Sequence, residues 1–362
     1  MEDVGVDPDF WHGRRVLVTG HTGFKGTWLI LWLQAMGAEV GGLADGVPTS
    51  PSLYELARAG EGIRDLRADV RDHRAVSEAV AAHQPEVVVH MAAQPFVRRS
   101  FRDPRATYET NVMGTVNVLE AVRATASVRA VVNVTSDKCY DNREQGRPFV
   151  EDDPKGGHDP YSNSKGCAEL VTDAYLRSFF APDQSGPRLA SGRAGNVIGG
   201  GDWGEDRLVP DLMRAALSGE AMEIRNPEAV RPWQHVLNPL GGYLELAQKL
   251  IETPDAQGGW NFGPRPDDVQ TVRWVAERLA ERWDGPLEWS IDAGPHPHEA
   301  GHLSLDSSKA AARLGWRPAL DLGEALDSIV EWYAALRDGA DMRAVTLRQI
   351  DVHAGTTARF PE

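Results

Sequence analysis

The chain has 362 residues, with 53 acidic against 38 basic side chains and a formal net charge of −15. So acidic a surface repels nucleic-acid phosphates and anionic lipid headgroups, which argues against both as partners. With 41% hydrophobic and 25% charged residues, the composition is that of a globular protein long enough for two unequal lobes, not of a disordered chain.

The opening MEDVGVDPDF is acidic and lacks the basic start and apolar core of a signal peptide. The richest apolar stretch, Trp28 to Met36, is far too short to span a membrane. Only two cysteines, Cys139 and Cys167, are present. They leave no disulfide framework, fit a reducing cytoplasm, and are expected to be plain buried thiols.

Along the chain, Arg15–Thr19 is expected as a strand, Gly26–Met36 as a helix and Glu39–Leu43 as a second strand, with a third ahead of Asp69. Val87–His90 follows as a strand, Thr107–Ala124 as a helix, Ala130–Thr135 as a strand and Tyr161–Phe180 as a long helix. Leu189–Val197 returns to the sheet. This alternation predicts an α/β fold with a doubly wound parallel sheet of Rossmann type over residues 1–198. From residue 199 to 362 the texture changes to short elements punctuated by Gly, Pro and Trp. That stretch is expected as a smaller mixed α/β substrate lobe over the C-terminal edge of the sheet, with a possible return of the chain to it.

Between the first strand and helix runs Gly20-His21-Thr22-Gly23-Phe24-Lys25-Gly26, a glycine at every third position. Glycine permits the tight turn and lets backbone N–H groups approach a pyrophosphate at the helix N-terminus. Asp45, at the end of the second strand, stands where an acid binds the ribose hydroxyls of a dinucleotide; its charge would repel the extra phosphate of NADP, so NAD is expected. Asp69-Val70 is a candidate for the adenine edge. His21 and Lys25 are unusual this close to a pyrophosphate: either they neutralise its charge or they are exposed turn residues.

Tyr161-Ser162-Asn163-Ser164-Lys165 sets a tyrosine and a lysine one helical turn apart on one face. A phenol of pKa about 10 is no base at neutral pH, but a neighbouring ammonium together with the positive nicotinamide ring stabilises the phenolate. Upstream, Thr135-Ser136-Asp137-Lys138-Cys139-Tyr140 places hydroxyls and an acid at a strand end.

Together, the glycine loop, the Tyr-x-x-x-Lys helix and the strand-end hydroxyl resemble the extended short-chain dehydrogenase/reductase family, the NAD-dependent epimerases and dehydratases. Within it the chain is similar, along nearly its whole length, to the CDP-glucose branch of the sugar-nucleotide 4,6-dehydratases. The stretches that carry the likeness are GHTGFKG (20–26), MAAQP (91–95), TNVMGT (110–115), TSDKCY (135–140), DPYSNSK (159–165), RAGNVIGGGDW (193–203), RPWQHV (231–236) and WNFGP (260–264). The dTDP-glucose branch carries Asp-Glu where this chain has Asp137-Lys138, a departure shared with the CDP-glucose branch.

The resemblance implies conversion of CDP-D-glucose to its 4-dehydro-6-deoxy product with tightly held NAD. Tyr161, supported by Lys165, would take the C4 hydroxyl proton; Ser136, or else Thr135, would hydrogen-bond O4; Asp137 would protonate the departing C6 hydroxyl, with Lys138 at C5. A protonated lysine accepts no proton, so Lys138 works as the neutral amine, or as a charge on the enolate, or another group takes the C5 proton. Ala92 and Ala93 would line the cofactor, and Gln94 the substrate. Asn196, Arg207 and Arg231 would hold the substrate phosphates, supplying the basic pocket that an anionic ligand requires of an acidic chain. Glu299 is a candidate for the nucleotide ribose, and Asn111 for a scaffold role. No metal is expected, because the histidines lack ligand spacing. A homodimer is implied, paired through the 107–124 and 161–180 helices. Three alternatives remain at this stage: a dehydratase for a dTDP-, GDP- or UDP-linked hexose, a UDP-sugar 4-epimerase, and a non-catalytic nucleotide sensor.

Overall fold

Buried parallel strands need apolar side chains on both faces, and the first half of the chain supplies them in short runs. The computed structural model describes residues 5–143, 146–181, 186–292, 294 and 303–357. After the short α1 (Pro8–Trp11), β1 (Arg15–Thr19) leads through the glycine loop into α2 (Phe24–Ala35), then β2 (Glu39–Ala44), α3 (Leu53–Leu56), β3 (Arg64–Arg67) and α4 (His73–His83). Next come β4 (Val87–His90), α5 (Val97–Arg102), α6 (Pro104–Tyr108), a π-helical segment Glu109–Met113, α7 (Gly114–Arg123) and β5 (Ala130–Val134). A 3-10 turn Asp137–Cys139 precedes α8 (Pro160–Phe179), β6 (Arg188–Ala194) and β7 (Asn196–Ile198). The remainder is α9 (Leu208–Ser218), β8 (Met222–Ile224), β9 (Val230–His235), α10 (Leu237–Glu252), β10 (Gly258–Phe262), β11 (Val269–Thr271), α11 (Val272–Arg282) and β12 (Trp289–Ile291). Three helices close the chain: α12 (Ser308–Leu314), α13 (Leu322–Arg337) and α14 (Met342–Thr357).

Seven strands form one parallel sheet in the order β10-β6-β5-β4-β1-β2-β3. Side chains alternate across it. Leu17, Val88, Val131 and Leu189 face a core shared with Val76 and Val80 of α4 and Val118 and Val122 of α7. Val16, Val18, Val89 and Val132 face the other side, with Leu29 of α2 and Leu240 and Leu244 of α10. Each such side chain, fully buried, is worth roughly 1.5–3 kcal/mol. Strand order reverses between β1 and β4, and an open α/β sheet binds ligands at such a switch point.

Two stretches depart from the periodicity. The run Leu189–Val197 is not one strand. It breaks at Gly195, after which β7 pairs with β9 in a separate three-stranded sheet. A Cβ on Gly195 would meet Pro232 Cγ at 2.5 Å and lie 3.2 Å from Asp137 Oδ2, so the bare backbone is what lets three segments converge there. The run Thr107–Ala124 is helical throughout but widens to a π turn at Glu109–Met113. That turn brings Asn111 inward, where it is 2% exposed.

The chain beyond residue 199 does return to the sheet: β10 is its edge strand, paired with β6, and α10 covers the face of β5 and β6. The smaller elements, including the two-stranded β8–β12 sheet, stand over the C-terminal strand ends.

Candidate functional site

A cleft of about 1240 Å³ opens at the switch point. Its floor is the glycine loop, and its walls come from the ends of β2, β4 and β5, the start of α8, and the 194–231 region.

The loop geometry follows from its glycines. Gly20 has φ +72°, and a Cβ there would lie 2.8 Å from the Ala92 backbone. A Cβ on Gly26 would lie 2.2 Å from the Gly20 carbonyl oxygen. Gly23 caps α2 with no side-chain hydrogen bond, so the first N–H groups of the helix point toward the cleft without a side-chain acceptor. This is the shape and polarity that a dinucleotide pyrophosphate fits. Thr22 donates to the Gly46 carbonyl at 2.6 Å and ties the loop to the end of β2, beside Asp45. Phe24, Asp45, Asp69, Val70, Ala92 and Ala93 all line the cleft. Asp69 is held by the Arg71 guanidinium.

His21 stands apart. Its side chain is fully buried on the far side of the loop, with Nε2 3.0 Å from Asp65 Oδ1 and its ring edge-on to Tyr54. Gly42 makes the room, since a Cβ there would sit 2.3 Å from the imidazole. Neither expectation for His21 is met: its side chain is neither exposed nor turned to the cleft. Lys25 does face the cleft, donating to Tyr243 Oη at 3.3 Å. Burial, with Lys165 and Arg207 nearby, lowers its pKa to about 7.

Across from the loop, Ser136, Asp137, Lys138, Tyr161 and Lys165 meet. Asp159 caps α8 by accepting from the Ser162 N–H at 2.9 Å, and Pro160 occupies the first turn. Ser136 donates to Asp137 Oδ1 at 2.8 Å and accepts from the Lys138 N–H at 3.2 Å. Asp137 Oδ2 has no hydrogen-bond partner among the described residues. Burial pushes the Asp137 carboxyl up, against the opposing pull of Lys138, Ser136 and Arg231. Lys165 reaches the Val134 carbonyl at 3.4 Å, and burial lowers it to about 8 while Glu169 and Cys139 oppose. The Tyr161 phenol is raised to about 12 by burial, with a Ser136 hydrogen bond and Arg207 opposing and Asp137 reinforcing. The expected lowering rests on the ammonium together with the positive nicotinamide ring, and in the chain by itself burial holds the phenol up.

Arg207 and Arg231 line the cleft with Asn196. Arg207 donates to Asp202 at 2.9 Å and lies over the Phe96 ring. Arg231 is 6% exposed. Sequence reasoning missed Arg98 and Arg225, which line the mouth and share Asp206 at 3.3 and 3.4 Å. Gln94 reaches the cleft wall, but its amide is committed to a turn, donating to the Phe96 carbonyl and Thr107 and accepting from the Phe96 N–H. Asn111 bridges the Gln94 backbone and Ser164, the scaffold role expected of it. Glu299 lies outside the described residues.

Two buried groups behind the cleft also went unread. Thr19 Oγ1 accepts from the Met91 and Ala92 N–H groups, so its hydroxyl proton goes to His90 Nδ1 at 2.7 Å. Burial and Lys165 lower His90 to about 3, which keeps the imidazole neutral. Glu169 lies one turn beyond Lys165, ion-paired with Arg193. Its spacing from Tyr161 and Lys165 was the available signal.

Comparison with known proteins fits this geometry. The NAD dependent epimerase/dehydratase family model matches residues 16–256. The chain is 51% identical to the CDP-glucose 4,6-dehydratase of Salmonella typhimurium over 358 residues, 98% of this chain and 100% of that one. It is 28% identical to the dTDP-glucose 4,6-dehydratase of Xanthomonas campestris pv. campestris, over 88% of this chain and 92% of that one. Among solved structures, the UDP-glucose 4-epimerase of Thermus thermophilus in complex with NAD superposes with a TM-score of 0.76 at 28% identity, covering 88% of this chain and 99% of that one. The chain belongs to the NAD-dependent epimerase/dehydratase family.

Proposed function

We propose that this protein is an NAD-dependent 4,6-dehydratase acting on CDP-glucose. The observation that carries the reading is Asp137: a buried acid with a raised pKa and an unengaged Oδ2, beside Ser136 and Tyr161 and followed by Lys138. An epimerase that acts only at C4 has no use for such an acid. The 51% identity to a CDP-glucose 4,6-dehydratase supports the choice of base.

The cofactor would be held by residues 20 to 26 of the glycine loop, largely through backbone, with Asp45, Asp69, Val70, Ala92 and Ala93 along it. When bound there, NAD would supply the hydride chemistry that links C4 and C6 of the sugar. Tyr161 receives the C4 hydroxyl proton, with Lys165 as the cation beside it and Ser136 holding O4. Asp137 delivers its proton to the C6 hydroxyl, which leaves as water. Lys138 serves C5, either as the neutral amine that takes its proton and returns it when hydride reaches C6, or as a charge that stabilises the enolate while another group takes and returns that proton. Asn196, Arg207 and Arg231 hold the diphosphate. Residues 1–198 thus form the cofactor domain, which also carries the groups that act on the sugar, and residues 199–362 form the substrate lobe, with β10 returning to the sheet. We place the enzyme in the cytoplasm, as a homodimer; both cysteines are free thiols.

The test is product analysis by nuclear magnetic resonance after incubation with NAD and a panel of nucleoside-diphosphate glucoses. A 4-keto-6-deoxy sugar formed fastest from CDP-glucose is the expected outcome. A galactose isomer would make the chain an epimerase, preferential turnover of another nucleotide would move the base, and binding without turnover would make it a sensor.

A further inference from the structure

Glu169 and Arg193 are each 4% exposed and joined at 2.6 Å beneath the catalytic face, touching neither cofactor loop nor cleft. A buried ion pair contributes little net stability unless every remaining bond is satisfied, so what this one is bonded to is informative. Glu169 Oε1 accepts from the Thr135 hydroxyl, and Oε2 from Ser191 at 2.8 Å as well as from Arg193. Arg193 Nη1 donates to Tyr140 Oη at 2.8 Å and to the Glu151 carbonyl at 3.0 Å. Tyr140 in turn donates to Asn261 Oδ1 at 2.6 Å. Thr135 and Tyr140 are the two ends of the segment that carries Ser136, Asp137 and Lys138. The fold makes space for the pair: a Cβ on Gly259 of β10 would fall 2.1 Å from the guanidinium. It also presses the segment onto α8 at Gly166, where a Cβ would lie 3.2 Å from the Cys139 carbonyl oxygen.

We propose that the Glu169–Arg193 pair is a positioning device that clamps both ends of the Thr135–Tyr140 segment and so sets Asp137 against the Tyr161–Lys165 face for loss of the C6 hydroxyl. Glu169 sits on the helix that carries Tyr161 and Lys165, and Arg193 two residues before the Gly195 gap that receives Asp137. One ion pair therefore fixes the distance between the groups that serve C4 and the group that serves C6. Burial would raise the Glu169 carboxyl, but the Arg193 charge and the bonds from Arg193, Thr135 and Ser191 prevail and keep it ionised. That charge also faces Lys165, which otherwise meets Cys139 from the 3-10 turn, Lys25 from α2 and His90 from β4.

The proposal rests on the dehydratase reading, and its test is run on whichever nucleoside-diphosphate glucose the wild-type chain turns over, so a wrong base sinks that reading alone. Thr135→Val and Tyr140→Phe each remove one hydroxyl and leave the ion pair. Each is expected to lower kcat by about tenfold or more, with KM within about threefold and an unchanged folded fraction by circular dichroism. Reduced cofactor should accumulate on the enzyme, because the helix-borne groups still serve C4 while the acid is displaced. Turnover within about threefold of wild type in both variants, a loss that only tracks unfolding, or a loss without accumulation overturns the proposal. Glu169→Gln adds a readout that mere packing would not move. With the negative charge gone, Lys165 gives up its proton at lower pH, so the alkaline limb of the kcat profile should shift down. An unmoved limb in the folded variant counts against the device; if that variant does not fold, the two hydroxyl variants decide.

Discussion

The Asp137 carboxyl is pushed up from its ordinary value, and the residues around it leave one oxygen without a donor. Ser136 serves Oδ1, the bare Gly195 lets the segment close over Oδ2, and burial disfavours the charged form. Asn is the same shape but has no acidic proton. Asp137→Asn should therefore cut turnover by at least about 10²-fold while reduced cofactor builds up on the enzyme after mixing with substrate. Rapid mixing with near-ultraviolet absorbance measures both; full-speed product release with no build-up would remove Asp137 from the acid role. The candidate groups could be picked out residue by residue, since Tyr-x-x-x-Lys and Ser-Asp-Lys are local strings, and the fold brings them to one cleft. Their electrostatics could not be read this way. Nothing in the string says that Tyr161 is raised to about 12, because burial and the neighbouring Asp137 are products of the fold. His21 shows the same limit: the loop spacing locates its backbone, while the direction of its ring depends on Gly42 of β2 and Asp65 of β3.

Elements with strong periodicity were readable to within a residue or two. The strands Arg15–Thr19 and Val87–His90 have the expected bounds, and α8 starts at Pro160, directly after its Asp159 cap. What periodicity could not carry was pairing. Leu189–Val197 reads as one apolar strand, yet Gly195 hands Asn196–Ile198 to another sheet, and β10 comes from some sixty residues downstream to flank β6. Both depend on contacts distant in sequence, which strand propensity does not encode. The glycine loop is the opposite case, for its spacing states its geometry. In Gly26→Ala the new methyl would lie 2.2 Å from the Gly20 carbonyl oxygen and 2.7 Å from His21 Cα, both backbone atoms that cannot swing aside. The loop has to open, and NAD affinity should fall by about tenfold or more, ~1.4 kcal/mol or above. Calorimetric titration with NAD checks this against Gly355→Ala on α14, whose Cβ would meet nothing within 4 Å. Equal affinity in the two variants would mean that the loop does not hold the cofactor through its backbone.

At the scale of the whole molecule, helix α8 has an outer face as well as an inner one. α8 turns Tyr161, Lys165 and Glu169 inward, yet Leu170, the next residue after Glu169, is 59% exposed. Met113 of the π segment and Phe101 of α5 are 50% and 51% exposed, and both belong to elements packed against α8. Single exposed apolar side chains are ordinary, but three large ones on helices that back one active site suit a second copy of the chain better than water. The homodimer proposed above would bury them in an isologous contact and stiffen the helix on which both halves of the chemistry depend. Leu170→Lys brings two like charges together across such a contact and should yield a monomer at micromolar concentration, measured by size-exclusion chromatography with light scattering. Because α8 carries Tyr161 and Lys165, the monomer should also lose turnover, and do so more than it loses affinity for the nucleotide sugar. A wild-type chain that is already monomeric, or a Leu170→Lys variant that stays dimeric, would rule out this face as the interface.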